Sequence, residues 1–68
     1  MEKNWKKILS TTNLMEAEII KQMLLENEVH AVLMNKQISP YNIGTVELYV
    51  HEQQEETALR LMADNGTA

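Results

Sequence analysis

The stretch TVELYV, Thr45 to Val50, alternates without a break. Val46, Leu48 and Val50 fall on one face, and Thr45, Glu47 and Tyr49 on the other. A period of two marks a strand with one side in a core and the other in water. Where this strand pairs decides the fold, and the rest of the chain leaves few choices.

Upstream, WKKILS (Trp5 to Ser10) carries Trp and Ile and runs into the polar cluster Ser10-Thr11-Thr12-Asn13. That reads as a first strand followed by a helix start. Asn13 is the expected N-cap, with Glu16 placed three residues on to reach back to the cap's backbone N–H. From Leu14 to about Asn27 there is no Gly, Pro or Thr, and good helix formers dominate. VHAVLM, Val29 to Met34, is apolar and β-branched and reads as a second strand. NKQISPYNIG, Asn35 to Gly44, holds the only Pro and reads as a loop. A second helix is expected from about Glu52 to Asp64. Its first turns hold Glu52, Glu55 and Glu56, which favours the dipole, and Glu56 and Arg60 have the helpful i, i+4 order. Asn65-Gly66 supplies its stop.

The order is therefore β-α-β-β-α, an α+β chain. If the TVELYV strand inserts between the first two, the three-stranded sheet has order 1-3-2 with both helices on one face. This is a truncated ferredoxin-like plan, lacking the last strand. Two consequences follow. The first strand has an unpaired outer edge, which Lys6 and Lys7 would blunt. The other face of the sheet has no helix over it, and is expected to show Lys6, Ile8, Ser10, Glu47, Tyr49 and alternate residues of the second strand.

The first helix is apolar on more of its circumference than one sheet requires. Ala17, Ile20 and Leu24 centre the core stripe, while Met15 and Ile19 lie well off it. The simpler expectation is a lateral contact with the apolar side of the second helix, Ala58, Leu61 and Met62, with Leu59 at its margin. The other is a protein interface, since Met suits adaptable contacts.

The run Asn13-Leu14-Met15-Glu16-Ala17-Glu18, a Leu-rich helix end, an apolar strand closing on Asn35, and Gly44-Thr45-Val46-Glu47-Leu48-Tyr49-Val50 before an acidic helix resemble a small bacterial domain-of-unknown-function family described as prokaryotic signal-transducing proteins. The resemblance spans roughly residues 5–63. Members often have Pro where this chain has Leu14, and Gly where it has Glu28-Val29. The resemblance implies a ferredoxin-like fold related in shape to PII-type signalling proteins, and carries over no catalytic residue.

Size and charge bound the function. The 68 residues make one domain, with a core of about residues 5–64 and short flexible ends. Such a chain buries only about 60% of its unfolded surface. Cysteine is absent, so no disulfide or thiolate site exists. Ten acids face six scattered bases for a net charge of −4, which is not the clustered positive surface that nucleic acid requires. No secretory pattern and no run of about 18 apolar residues is present, so a cytoplasmic protein with no membrane partner is expected.

Candidate chemistry is sparse. His30 and His51, with Glu52, could hold a divalent metal, but their spacing matches no established motif. Ser10 and Ser39 lie in no nucleophile-elbow context. The acids Glu55-Glu56 read as a solvated face, and no cofactor is expected. The ten-residue 35–44 loop is long for a hairpin. It offers Asn35, Lys36, Tyr41 and Asn42 as binding groups, with Tyr49 on the uncovered face and Trp5 as an aromatic anchor at the first strand's edge. The resulting expectation is a small non-enzymatic regulatory or protein-interaction module that binds a protein partner, itself or a small ligand. The alternative is a PII-type sensor of small metabolites.

Overall fold

The computed structural model describes residues 4–38 and 43–64. The expected order holds: β1 (Trp5–Thr11), α1 (Leu14–Glu26), β2 (Ala31–Asn35), β3 (Val46–His51), a 3₁₀ turn (Glu52–Gln54) and α2 (Glu55–Asp64). The sheet is antiparallel with order β1-β3-β2. Val46, Leu48 and Val50 are buried, and the last two share one cluster with Ile20 and Leu24 of α1 and with Ala58 and Met62 of α2. Both helices therefore lie on one face of β3, in the ferredoxin-like β-α-β-β-α layout.

Asn13 caps α1 as expected, its Oδ1 accepting the Glu16 N–H at 3.1 Å. Glu16 does not reach back to Asn13. Its carboxylate takes the Thr11 hydroxyl at 2.8 Å, while the Asn13 N–H donates to that same hydroxyl oxygen. A hydroxyl two residues before the cap is the nearer donor, and it turns the reciprocal box into a relay.

The end of α1 explains why β2 starts two residues later than the sequence suggests. Val29 N–H bonds to Leu24 C=O and Glu28 N–H to Leu25 C=O, the paired bonds of a Schellman ending. Glu28 takes the left-handed position with φ 65°, where glycine is usual. Val29 is buried against the core as part of this ending, so strand pairing begins only at Ala31.

Two sequence expectations are corrected here. The register between β1 and β3 shifts between Lys7 and Leu9, making Ile8 an extra, bulged residue. A bulge reverses the alternation on one side of it. Lys7, opposite Tyr49, therefore faces away from the helices in place of Lys6, and Ile8 packs against the core cluster instead of lying on the open face. The second correction concerns Met15 and Ile19, which are 71% and 63% exposed and make no burying contact with α2.

Candidate functional site

The open face is built row by row from cross-strand neighbours, since directly opposed residues share a face. Ser10, Glu47 and Met34 form one row, Lys7, Tyr49 and Val32 the next, and Trp5 and His51 the third. Glu47 stands at the middle of this face, yet only 7% of it is exposed. The long side chains around it provide the cover. Tyr49 donates its hydroxyl to Glu47 Oε1 at 2.7 Å, Lys36 Nζ lies 3.0 Å from the same oxygen, and Lys7 Nζ is 3.6 Å from Oε2.

These contacts set the protonation of Glu47, Lys36 and Tyr49. The Tyr49 hydrogen bond, followed by that from Lys36, holds the Glu47 carboxyl below the usual carboxylate range. The bond to Glu47 in turn raises Lys36 and Tyr49 above their ordinary values. The cluster is thus carboxylate, ammonium and neutral phenol together through the neutral range. Its lysines remain half-exposed and able to meet an incoming anion.

The sequence-derived candidates separate. Lys36 and Tyr49 meet on Glu47. Trp5 lies on the same face with its ring edge-on to His51, 5.9 Å between centroids at 70°. Asn35 points elsewhere: its Oδ1 accepts the Gln37 N–H at 2.8 Å and shapes the chain locally. Tyr41 and Asn42 lie outside the described residues. His51 Nδ1 accepts the Gln53 N–H at 3.3 Å, which makes it a cap for the 3₁₀ turn. Among the described residues no group of three or more His, Cys, Asp or Glu could hold a metal ion.

The 35–44 segment is also less open than it reads. Lys36 N–H bonds to Thr45 C=O at 2.9 Å and Ile38 N–H to Ile43 C=O at 2.8 Å, both in the register of β2 with β3. The hairpin ladder thus continues past the strands as far as Ile38 and Ile43. Glu47 and Lys7 were missed as site residues. Glu47 and Tyr49, two apart on one strand, were a readable pair; the arrival of Lys7 and Lys36 depends on register and on the bulge.

Charge is layered. Among the described residues, α1, α2, the 3₁₀ turn and Glu28 carry eight acids against Lys21 and Arg60, while the strands and hairpin carry Glu47 against Lys6, Lys7 and Lys36. Neither helix is long and apolar enough to cross a membrane.

A two-layer ferredoxin-like module whose basic sheet face is uncovered among the described residues defines the class. The chain belongs to the DUF2007 family, whose description is "Putative prokaryotic signal transducing protein" and whose model matches residues 5–66. No curated protein and no solved structure matches significantly.

Proposed function

We propose that the chain is a non-enzymatic regulatory module that recognises a protein partner through the open sheet face. The observation carrying this reading is the face itself. Trp5, Tyr49 and Val32 offer rigid and apolar contact area, and Lys7 and Lys36 stand around a carboxylate that is already neutralised. Aromatic anchors ringed by polar groups are the usual makings of a protein-binding patch. The layering of charge selects the partner's chemistry: a surface presenting carboxylates is drawn to the sheet side and repelled from the helical side.

Neither the family match nor the fold supports the PII-type alternative. A thermal-shift screen with nucleotides and divalent metals keeps the two apart, because a ligand of the folded state raises its melting temperature. The direct test places a photo-crosslinking residue at Ser10, on the open face away from the β2 edge, or, on the helical layer, at Glu56. The proposal expects one protein captured from Ser10 alone, with capture lost when Lys7 and Lys36 are both replaced by Ala. Equal capture from both positions, or a melting shift with a nucleotide, would overturn it.

A further inference from the structure

Among the described residues the sheet has a second free edge, that of β2, which pairs with β3 on one side only. In an antiparallel ladder, opposed residues alternate between pairs that exchange hydrogen bonds and pairs that do not. Lys36 is bonded to Thr45, so Met34 and Val32 also turn their backbone groups towards β3. Ala31, Leu33 and Asn35 turn theirs outward. The chain closes this outward row at both ends. The Val29 N–H is taken by Leu24 C=O, and the Gln37 N–H by Asn35 Oδ1. What remains is a short, evenly spaced row of N–H and C=O groups centred on Leu33.

We infer that this edge is the seat of a second copy of the chain, paired antiparallel about a two-fold axis at Leu33. The register follows from the row itself. With Leu33 opposite Leu33 of the second copy, Ala31 opposes Asn35 and Asn35 opposes Ala31, so every outward residue meets an outward residue. Each opposed pair exchanges two hydrogen bonds, and the edge is self-complementary as an isologous contact must be. On the open face the same register sets Val32 beside Met34 of the other copy and Met34 beside its Val32. Val32 is among the exposed large apolar side chains. No residue from Ala31 to Asn35 is charged, so the paired strands bring no like charges face to face.

The product is a six-stranded sheet, β1-β3-β2-β2-β3-β1, with all four helices on one side and a doubled open face on the other. An uncharged, unbulged edge strand is a liability in a free monomer; capping it with its own image removes the liability in one step. This inference stands on the β2 backbone and does not depend on the partner proposed above.

The test combines sedimentation equilibrium with amide hydrogen exchange over a concentration series. The expected result is an average mass rising from 7.8 kDa towards twice that value, with amide protection at Ala31, Leu33 and Asn35 rising in step. Val32→Lys should weaken association about tenfold or more, with the circular dichroism spectrum unchanged. As a second variant, chemical synthesis with an N-methyl group on Leu33 removes one outward donor and leaves the β3-facing bonds alone. It too should dissociate the dimer. A protein that stays monomeric up to about 1 mM, a dimer that protects Trp5, Lys7 and Ser10 instead, or an undiminished dimer in both variants would overturn the inference.

Discussion

The two edges of the sheet are opposites in construction. On β1, the bond from Glu52 N–H to Asn4 C=O fixes Lys6 as facing β3, so Trp5 and Lys7 turn outward. Beyond the Ile8 bulge the next outward residue is Ser10, and the even spacing is broken. Lys6 and Lys7 add charge there. On β2 the outward residues keep an even spacing and carry no charge. A bulge and lysines are the devices by which strands discourage chance pairing. Among the described residues these devices are present on the β1 edge and absent from the β2 edge.

The largest effect is expected from disturbing what keeps β2 in even register with β3. Gly44 has φ 112°, and a Cβ there would come within 2.7 Å of the Lys36 carbonyl oxygen, a backbone atom with little room to yield. Gly44→Ala should cost roughly 1–3 kcal/mol in urea unfolding, and the outward row on β2 should lose its even spacing with it. If the variant unfolds at the wild-type midpoint, the ladder through Lys36 and Thr45 does not set that edge.

Glu47 ties the two borders together, since Lys7 reaches it from β1 and Lys36 from the β2 hairpin. Its carboxyl titrates below the usual range in the folded state, so its contribution is whole above that range and is lost as pH falls through the folded value. Lys36 and Tyr49 are shifted upward by the same contacts, so theirs is present below their ordinary values and lost as pH rises through the folded ones. Urea unfolding of the wild type against Glu47→Gln should show a difference that is flat through the neutral range and shrinks towards both acid and alkali. A difference that persists unchanged in acid would mean that the clamp contributes nothing through its charge.

A smaller, opposite effect belongs to the entry of β2. Glu28 holds a left-handed backbone that costs an L-residue energy, and its side chain is exposed. Glu28→Gly should raise unfolding stability by roughly 0.5–1 kcal/mol, the strain relieved less the added freedom of glycine when unfolded. A loss of stability instead would assign the Glu28 side chain a contact of its own.

Much of the fold was legible because it rests on side-chain periodicity. TVELYV has only one way to bury Val46, Leu48 and Val50, and a helix between the first two strands leaves the middle place to the third. Features set by the backbone were hidden. Nothing in WKKIL distinguishes a bulge at Ile8 from regular alternation, yet it decides whether Lys6 or Lys7 joins Glu47. Ser39-Pro40 reads as a break, which concealed the pairing of Ile38 with Ile43. The Schellman ending was masked because Glu28 occupies a glycine's place. The site was therefore half visible: Lys36 and Tyr49 were chosen for their chemistry, while the carboxylate that joins them emerges only from the register.

The smallest expected effect separates the two defences of β1. Lys6 is exposed and lies opposite Val50, so Lys6→Val should change folding stability by no more than about 0.5 kcal/mol. If the Lys6 charge is what keeps β1 unpaired, this variant should associate through that edge. If spacing is decisive, it should not, because outward groups at Trp5, Lys7 and Ser10 cannot all meet those of an antiparallel copy: the step across the bulge is three residues where the step before it is two. Placing Lys6→Val on a Val32→Lys background removes the β2 contact from the readout. We expect sedimentation to report a monomer. A dimer protecting the Trp5 and Lys7 amides would show that the lysine, and not the bulge, closes this border.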